Sequence, residues 1–227
     1  MSNYYHGAKA SKQATSVSTP VVADSSIHLI VGTAPVHTVG GKVNEPVYAS
    51  NYAEAVAAMG YSDEWDKYDI CEEIYSSFKL YSNGPIIMVN VLDPAKHLKG
   101  AETVEKTLAG GITELPYEAV SDTVEVKGYD GEDSLTETYT RGEDYDLFYT
   151  DGVLRLERIE SGKIKADNAR LNIKFNSVDP SKVTKKEIIG GYDTNTNKSS
   201  GFELVDSVYP KYGVIPTLFL APNFSTD

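Results

Sequence analysis

Val39-Gly40-Gly41-Lys42 is the stretch whose spacing first suggests chemistry. It follows the apolar run 27–31, as a phosphate-cradling loop follows a strand. Such a loop needs glycine at 36 and a hydroxyl residue at 43, and both positions hold valine. Nucleotide phosphate is therefore not expected here. No Gly-x-Gly-x-x-Gly occurs, so a dinucleotide has no cradle either. The four histidines, His6, His28, His37 and His97, are scattered and have no partner cysteine cluster, which argues against zinc. Asp193, Asn195 and Asn197 resemble the opening of a calcium loop. Lys198 stands where that loop needs glycine, and Glu203 falls one residue short of the bidentate position. Residues 130–146 are acidic but lack ligand spacing. No Gly-x-Ser-x-Gly elbow is present. The single cysteine, Cys71, lies in an apolar helical pattern and is expected to be a small buried hydrophobe. Nothing joins a nucleophile, a base and an oxyanion donor. The expectation is a protein without catalysis, cofactor, metal or small-molecule substrate, working by contact.

Bulk properties agree with that. The 227 residues are 41% hydrophobic, enough for a real core in one or two domains. The net charge of −12 repels phosphate backbones, so nucleic acid is excluded as a partner. Lys182, Lys185 and Lys186 are the densest basic group and are expected on a solvated face. No secretory leader is visible at the N-terminus, and no apolar run approaches the ~20 residues that span a bilayer. A soluble protein made in the cytoplasm follows.

The elements that must carry any function fall into three textures. Residues 1–25 are small and polar, with strand-capable Val17, Val21 and Val22, and read as an extended arm. Residues 27–31 and 86–92 read as buried strands. Between them, Asn51 with Glu54 starts a helix that Gly60 ends, and a second helix is expected over 65–81, with Ile70, Ile74, Phe78 and Tyr81 on one face. A strand–helix–helix–strand order implies parallel pairing. Residues 96–109 suggest another helix. From 117 to 175 the helical period gives way to alternation, and Asp151-Gly152 marks a hairpin. Ser200 with Glu203 suggests a further capped helix, carrying Phe202, Val205 and Tyr209, before the run 214–221, which reads as a strand buried on both faces. One cover of that strand is missing from the chain, so apolar surface is expected around Ile215, Leu218 and Leu220. The fold class is α/β (α+β overall): an incomplete parallel-type domain, 26–95 and 191–227, interrupted by a β-rich antiparallel insertion, 96–190, behind the arm 1–25.

Several stretches stand out together: Y-H-G-A-K at 5–9, S-V-S-T-P-V at 16–21, I-H-L-I-V-G-T-A-P at 27–35, N-E-P-V-Y-A-S-N at 44–51 and V-D-P-S-K-V-T-K-K-E-I-I-G-G-Y-D at 178–193. The run G-F-E-L-V-D-S-V-Y-P-K-Y-G-V-I-P-T-L-F-L-A-P-N-F-S-T-D at 201–227 completes the set. In this order they resemble contractile-tail sheath proteins of myophages and phage-tail-like particles. Asn223 stands where the family has glycine, a mild change because asparagine tolerates a left-handed backbone. Sheath proteins continue beyond this point, so the chain is expected to be an N-terminal portion. The resemblance implies hexameric rings stacked around a tail tube, a contraction that drives the tube into the host envelope, and assembly in the bacterial cytoplasm before incorporation into the particle. It implies neighbouring sheath subunits and the tube protein as partners. The arm residues Tyr5, His6, Gly7, Val17, Val21 and Val22 would link subunits by adding a strand to a neighbour's sheet. A glycan- or surface-binding β module presenting Tyr139, Tyr145 and Tyr149 is the alternative.

Overall fold

The computed structural model describes residues 27–130 and 134–224. Strand β1 (His28–Gly32) is followed by a 3₁₀ turn, a short strand β2 (Val47–Ala49), helix α1 (Tyr52–Met59), helix α2 (Asp69–Tyr75) and strand β3 (Ile86–Asn90). β1 and β3 pair in parallel, as the crossover required, and β2 pairs antiparallel on the far side of β3. The sheet is therefore mixed rather than purely parallel. Asn51 accepts a hydrogen bond from the Glu54 amide at 3.0 Å, and Gly60 ends α1 at φ 74°. The reciprocal bond is shifted by one residue, since the Glu54 carboxylate takes the Ser50 amide at 2.8 Å.

α2 departs from expectation at both ends. It begins at Asp69, and its last turn, Ser76–Leu80, widens to π-type spacing. Ile70 and Ile74 are fully buried as the pattern required, but Tyr81 lies past the helix and is 77% exposed. The helix expected over 96–109 is instead a long strand. β4 (Leu98–Thr107) pairs with a distant strand from Leu98 to Thr107, so tertiary pairing overrides the helix-forming Ala, Glu and Lys content.

The remaining strands are β5 (Ile112–Pro116), β6 (Glu125–Asp130), β7 (Ser134–Tyr139), β8 (Tyr145–Thr150), β9 (Val153–Arg158) and β10 (Arg170–Val178). They form two antiparallel sheets, ordered β4-β10-β6-β7 and β5-β9-β8. The Asp151-Gly152 hairpin forms as expected, with both residues at positive φ and Thr150 opposite Val153. Leu115, Val126, Leu154, Leu156, Leu171, Ile173 and Phe175 fill the core between these sheets.

Helix α3 (Lys185–Ile189), the hairpin β11 (Gly191–Asp193) and β12 (Lys198–Ser200), a 3₁₀ segment, helix α4 (Val208–Tyr212) and strand β13 (Leu218–Leu220) complete the chain. The Ser200–Glu203 cap does not form. Ser200 sits in β12 and its hydroxyl donates to the Gly191 carbonyl at 3.3 Å. β13 joins β1 in parallel, giving the order β13-β1-β3-β2. The period-2 alternation of β1 and β3 then supplies two cores. Ile30, Ile86 and Met88 meet α1 and α2 on one side. Leu29, Val31, Ile87 and Val89 meet Ile188, Leu204 and Val208 on the other. Each fully buried aliphatic contributes about 1.5–3 kcal/mol.

Candidate assembly surface

The arm residues Tyr5, His6, Gly7, Val17, Val21 and Val22 lie outside the described residues. Among the described residues the α/β sheet ends in two short edge strands, β2 and β13, and β13 carries the more exposed side chains. It spans three residues, has β1 on one side and pairs with no described strand on the other. It is not buried on both faces as its composition suggested. Leu218 is 44% exposed, Phe219 50% and Ile215 66%. Ile215 and Leu218 are exposed as expected, whereas Leu220 packs toward the α1/α2 core and Phe219 is exposed in its place. Phe219 also meets Phe202 edge-on, with ring centroids 6.4 Å apart. Asn223, just beyond, adopts φ 64°, the left-handed conformation its glycine-like position asks for.

The carboxyl ends of parallel strands are where α/β sheets usually receive ligands. Here a cavity of about 500 Å³ remains beside Thr33, Asp69, Asn223 and Phe224, but the backbone donors after β1 are taken by the chain's own side chains. Asn90, fully buried at the end of β3, accepts from the Ala34 amide at 2.9 Å and the Leu92 amide at 3.1 Å. Asp69, 1% exposed, accepts from the Thr33 amide at 2.6 Å and the Thr33 hydroxyl at 3.1 Å. The donors after β1 that could cradle a phosphate are therefore consumed, and a carboxylate stands behind them. Gly32 permits this approach: a Cβ there would lie 2.2 Å from Asp69 Oδ1. Asp69 Oδ2 has no partner, and burial pushes the carboxyl up to about 7. Sequence patterning gave no warning of this residue, because an acid at a helix start reads as a solvated one.

The other candidate chemistry is likewise occupied. His28 Nδ1 lies 2.7 Å from Glu73. His97 Nδ1 accepts from the Asp93 amide at 2.8 Å, so Nε2–H donates to Glu187 at 2.8 Å. His37 Nε2–H donates to the Tyr117 carbonyl at 2.9 Å and its Nδ1 is buried without a partner. Burial lowers its basicity. Asp193 accepts from the Asn195 amide and the Thr196 hydroxyl, closing the β11–β12 turn rather than opening toward a cation. Among the described residues no group of three or more His, Cys, Asp or Glu is arranged to hold a metal. Cys71 is buried and its thiol is pushed up to about 12, which keeps it inert. Among the described residues no helix is long and apolar enough to cross a membrane.

The β8 and β6–β7 tyrosines do not form an exposed stacking platform. Tyr145 is 2% exposed. The Tyr149 hydroxyl donates to the Ala119 carbonyl at 2.6 Å and accepts from the Ser121 amide at 3.1 Å. The Tyr139 ring lies over Gly128. Instead, Tyr149 joins a seam between the α/β sheet and the β-rich part. Its ring meets His37 at 5.6 Å and Tyr117 at 5.9 Å, Tyr117 donates to the Tyr61 carbonyl at 2.9 Å, and Lys67 pairs with Glu118 at 2.8 Å.

A mixed α/β sheet, joined by a bonded seam to two antiparallel sheets, defines an α+β fold. The chain is 29% identical over 227 residues, 99% of its length, to a protein named tail sheath protein from Burkholderia phage BcepMu. It spans 44% of that relative's length. No protein-family model matches it.

Proposed function

We propose that this chain belongs to a structural subunit of a contractile tail sheath, which polymerises as stacked hexameric rings around a tail tube and contracts to drive the tube into a host envelope. The observation that carries this reading is the alignment with a tail sheath protein along nearly the whole chain. The open β13 edge supports it, because an extended arm can add a strand there with little demand on side chains. In this reading residues 1–25, through Tyr5, His6, Gly7, Val17, Val21 and Val22, link one subunit to the next. Residues 26–95 and 191–227 form the α/β body, and residues 96–190 are an insertion braced at the aromatic seam. Each added backbone bond contributes only about 0.5–1.5 kcal/mol, and a lattice multiplies the weak tethers. Neither catalysis nor a cofactor is part of the reading. Partners are neighbouring subunits and the tube protein; the protein assembles in the bacterial cytoplasm and ends in the particle.

The test is co-expression of the whole protein containing this chain with its tube partner, viewed by electron microscopy. Striated sheaths are expected, and removal of residues 1–25 should leave rings that fail to stay linked. A wild-type protein that remains monomeric beside assembled tubes overturns the proposal.

A further inference from the structure

Asn83 is the only asparagine of the sequence followed by glycine. The pair stands in the connection 82–85, between the π-type turn that ends α2 and strand β3. Asn83 is half-buried and Gly84 is exposed. The Asn83 amide donates to the Ser77 carbonyl at 2.7 Å, but the Gly84 amide donates to no described residue. Glycine has no Cβ to shield that nitrogen. Packing demands glycine here, because a Cβ would lie 2.7 Å from Phe78 Cε1 and 3.3 Å from the Ser50 carbonyl oxygen.

The side chain of Asn83 meets a histidine held by a carboxylate. Asn83 Nδ2 lies 3.4 Å from His28 Nε2. His28 Nδ1 lies 2.7 Å from Glu73 Oε1, which also accepts from the Ser77 hydroxyl at 2.6 Å. An ionised carboxylate only accepts, so Nδ1 carries the proton and Nε2 is the end turned to Asn83. An oriented imidazole thus stands beside the nitrogen that must leave if the Asn83 amide is attacked.

We infer that Asn83 is a self-modification site, at which the side-chain amide is lost with the help of His28. The Gly84 nitrogen gives its proton to water and bonds to Asn83 Cγ. The Cγ–Nδ2 bond breaks, the leaving nitrogen takes a proton through His28 Nε2, and ammonia departs. Water then opens the cyclic imide at either carbonyl, giving aspartate or isoaspartate. No oxidant or reductant is involved. The aspartate product puts a carboxylate beside Nε2, so His28 lies between two acids. The isoaspartate product adds a methylene to the backbone just before β3, the strand between β1 and β2. This inference does not depend on the sheath reading.

The test incubates the whole protein containing this chain in heavy-oxygen water at neutral pH. Digestion in ordinary water follows, and the asparagine peptides are weighed by mass spectrometry. The label then marks only conversion that preceded digestion. Labelled aspartate and isoaspartate are expected at 83 well ahead of exposed Asn51, and Asn83→Gln should abolish the signal. His28→Asn keeps a donor for Glu73 and removes Nε2. It should slow conversion about tenfold, less than a positioned acid usually supplies, because 3.4 Å is a long contact. Circular dichroism reports whether that variant folds. The wild-type chain unfolded in urea also loses the His28 contact and should convert more slowly than the folded protein. Conversion at 83 no faster than at 51 overturns the inference. So does a folded His28→Asn variant that converts like wild type, or an unfolded chain that converts as fast as the folded one.

Discussion

Asp69→Asn isolates a carboxyl group that this fold holds against its nature. Asp69 is 1% exposed, with Oδ1 bonded to Thr33 and Oδ2 unpartnered. Desolvation is the main cause that lifts it to about 7 from the ordinary 3.8, and the Thr33 bonds only partly oppose it. The native state therefore holds a proton that the unfolded chain has released throughout the interval between those values. Stability is fully present below the unfolded value and is lost as pH rises through the folded one. One pH unit corresponds to about 1.4 kcal/mol, so between pH 5 and pH 8 this group should remove about 2.5 kcal/mol. Asparagine keeps the acceptor for Thr33 and carries no charge. Urea unfolding followed by circular dichroism at pH 5, 6, 7 and 8 gives both curves. The wild-type curve minus the variant curve should fall by about 2.5 kcal/mol across the range, even where other groups tilt both curves alike. The asparagine places an unpartnered N–H where Oδ2 stood, at a cost of about 1–3 kcal/mol that does not vary with pH. A difference curve that is flat, or that rises with pH, refutes the account of a buried and largely protonated Asp69.

His37 tests the seam with the opposite sign. Its basicity is lowered mainly by burial, so the unfolded chain binds a proton before the native chain does, and stability should fall as pH drops below about 6.5. His37→Phe should abolish that fall, and an imidazole that titrates at its ordinary value by NMR would refute the seam's dryness. Ile74→Ala, at a fully buried position, should cost about 2–5 kcal/mol in denaturant unfolding, whereas Ile215→Ala, at 66% exposure, should stay within about 0.5 kcal/mol. Equal losses at the two positions would contradict the packing described.

The parts of the fold legible in the sequence are those set by local geometry. The Asp151-Gly152 turn needs positive φ at both residues, and only a few residue types supply it. The alternation of 170–175 fixes which side chains of β10 enter the core, and the Asn51 cap fixes where α1 begins. Failures came where distant partners decide. Residues 98–107 carry helix formers, but β10 offers a ladder from Thr107 to Leu98, and the ladder wins. The Ser200–Glu203 spacing matches a cap whose serine is claimed by the Gly191 carbonyl. The same signal at Thr184 and Glu187 is real and opens α3. β2 is too short at three residues to show a period. The candidate site was less legible than the fold. A lone lysine, a buried acid and an open edge carry no spacing of their own, and each becomes visible only when residues far apart in the chain meet, as Thr33 and Asp69 or His97 and Glu187 do.

The bonds at the end of β1 bear on the proposed contact role through the donors they occupy. After β1 the chain turns with the Thr33 and Ala34 amides pointing toward the strand ends, the position from which such amides elsewhere hold phosphate. Asp69 and Asn90 take both donors. A ligand anion would have to displace two buried side chains from these donors, a cost of several kcal/mol before any contact is gained. The same bonds tie the end of β1 to α2 and to β3, so the strand on which β13 rests is fixed from the side opposite its open edge. A rigid template lowers the ordering cost of an added strand, because only the incoming segment has to be immobilised. If the proposed strand addition occurs at β13, loosening the Asp69–Thr33 pair should weaken it without touching any residue of that edge, as a binding measurement with an arm peptide would show.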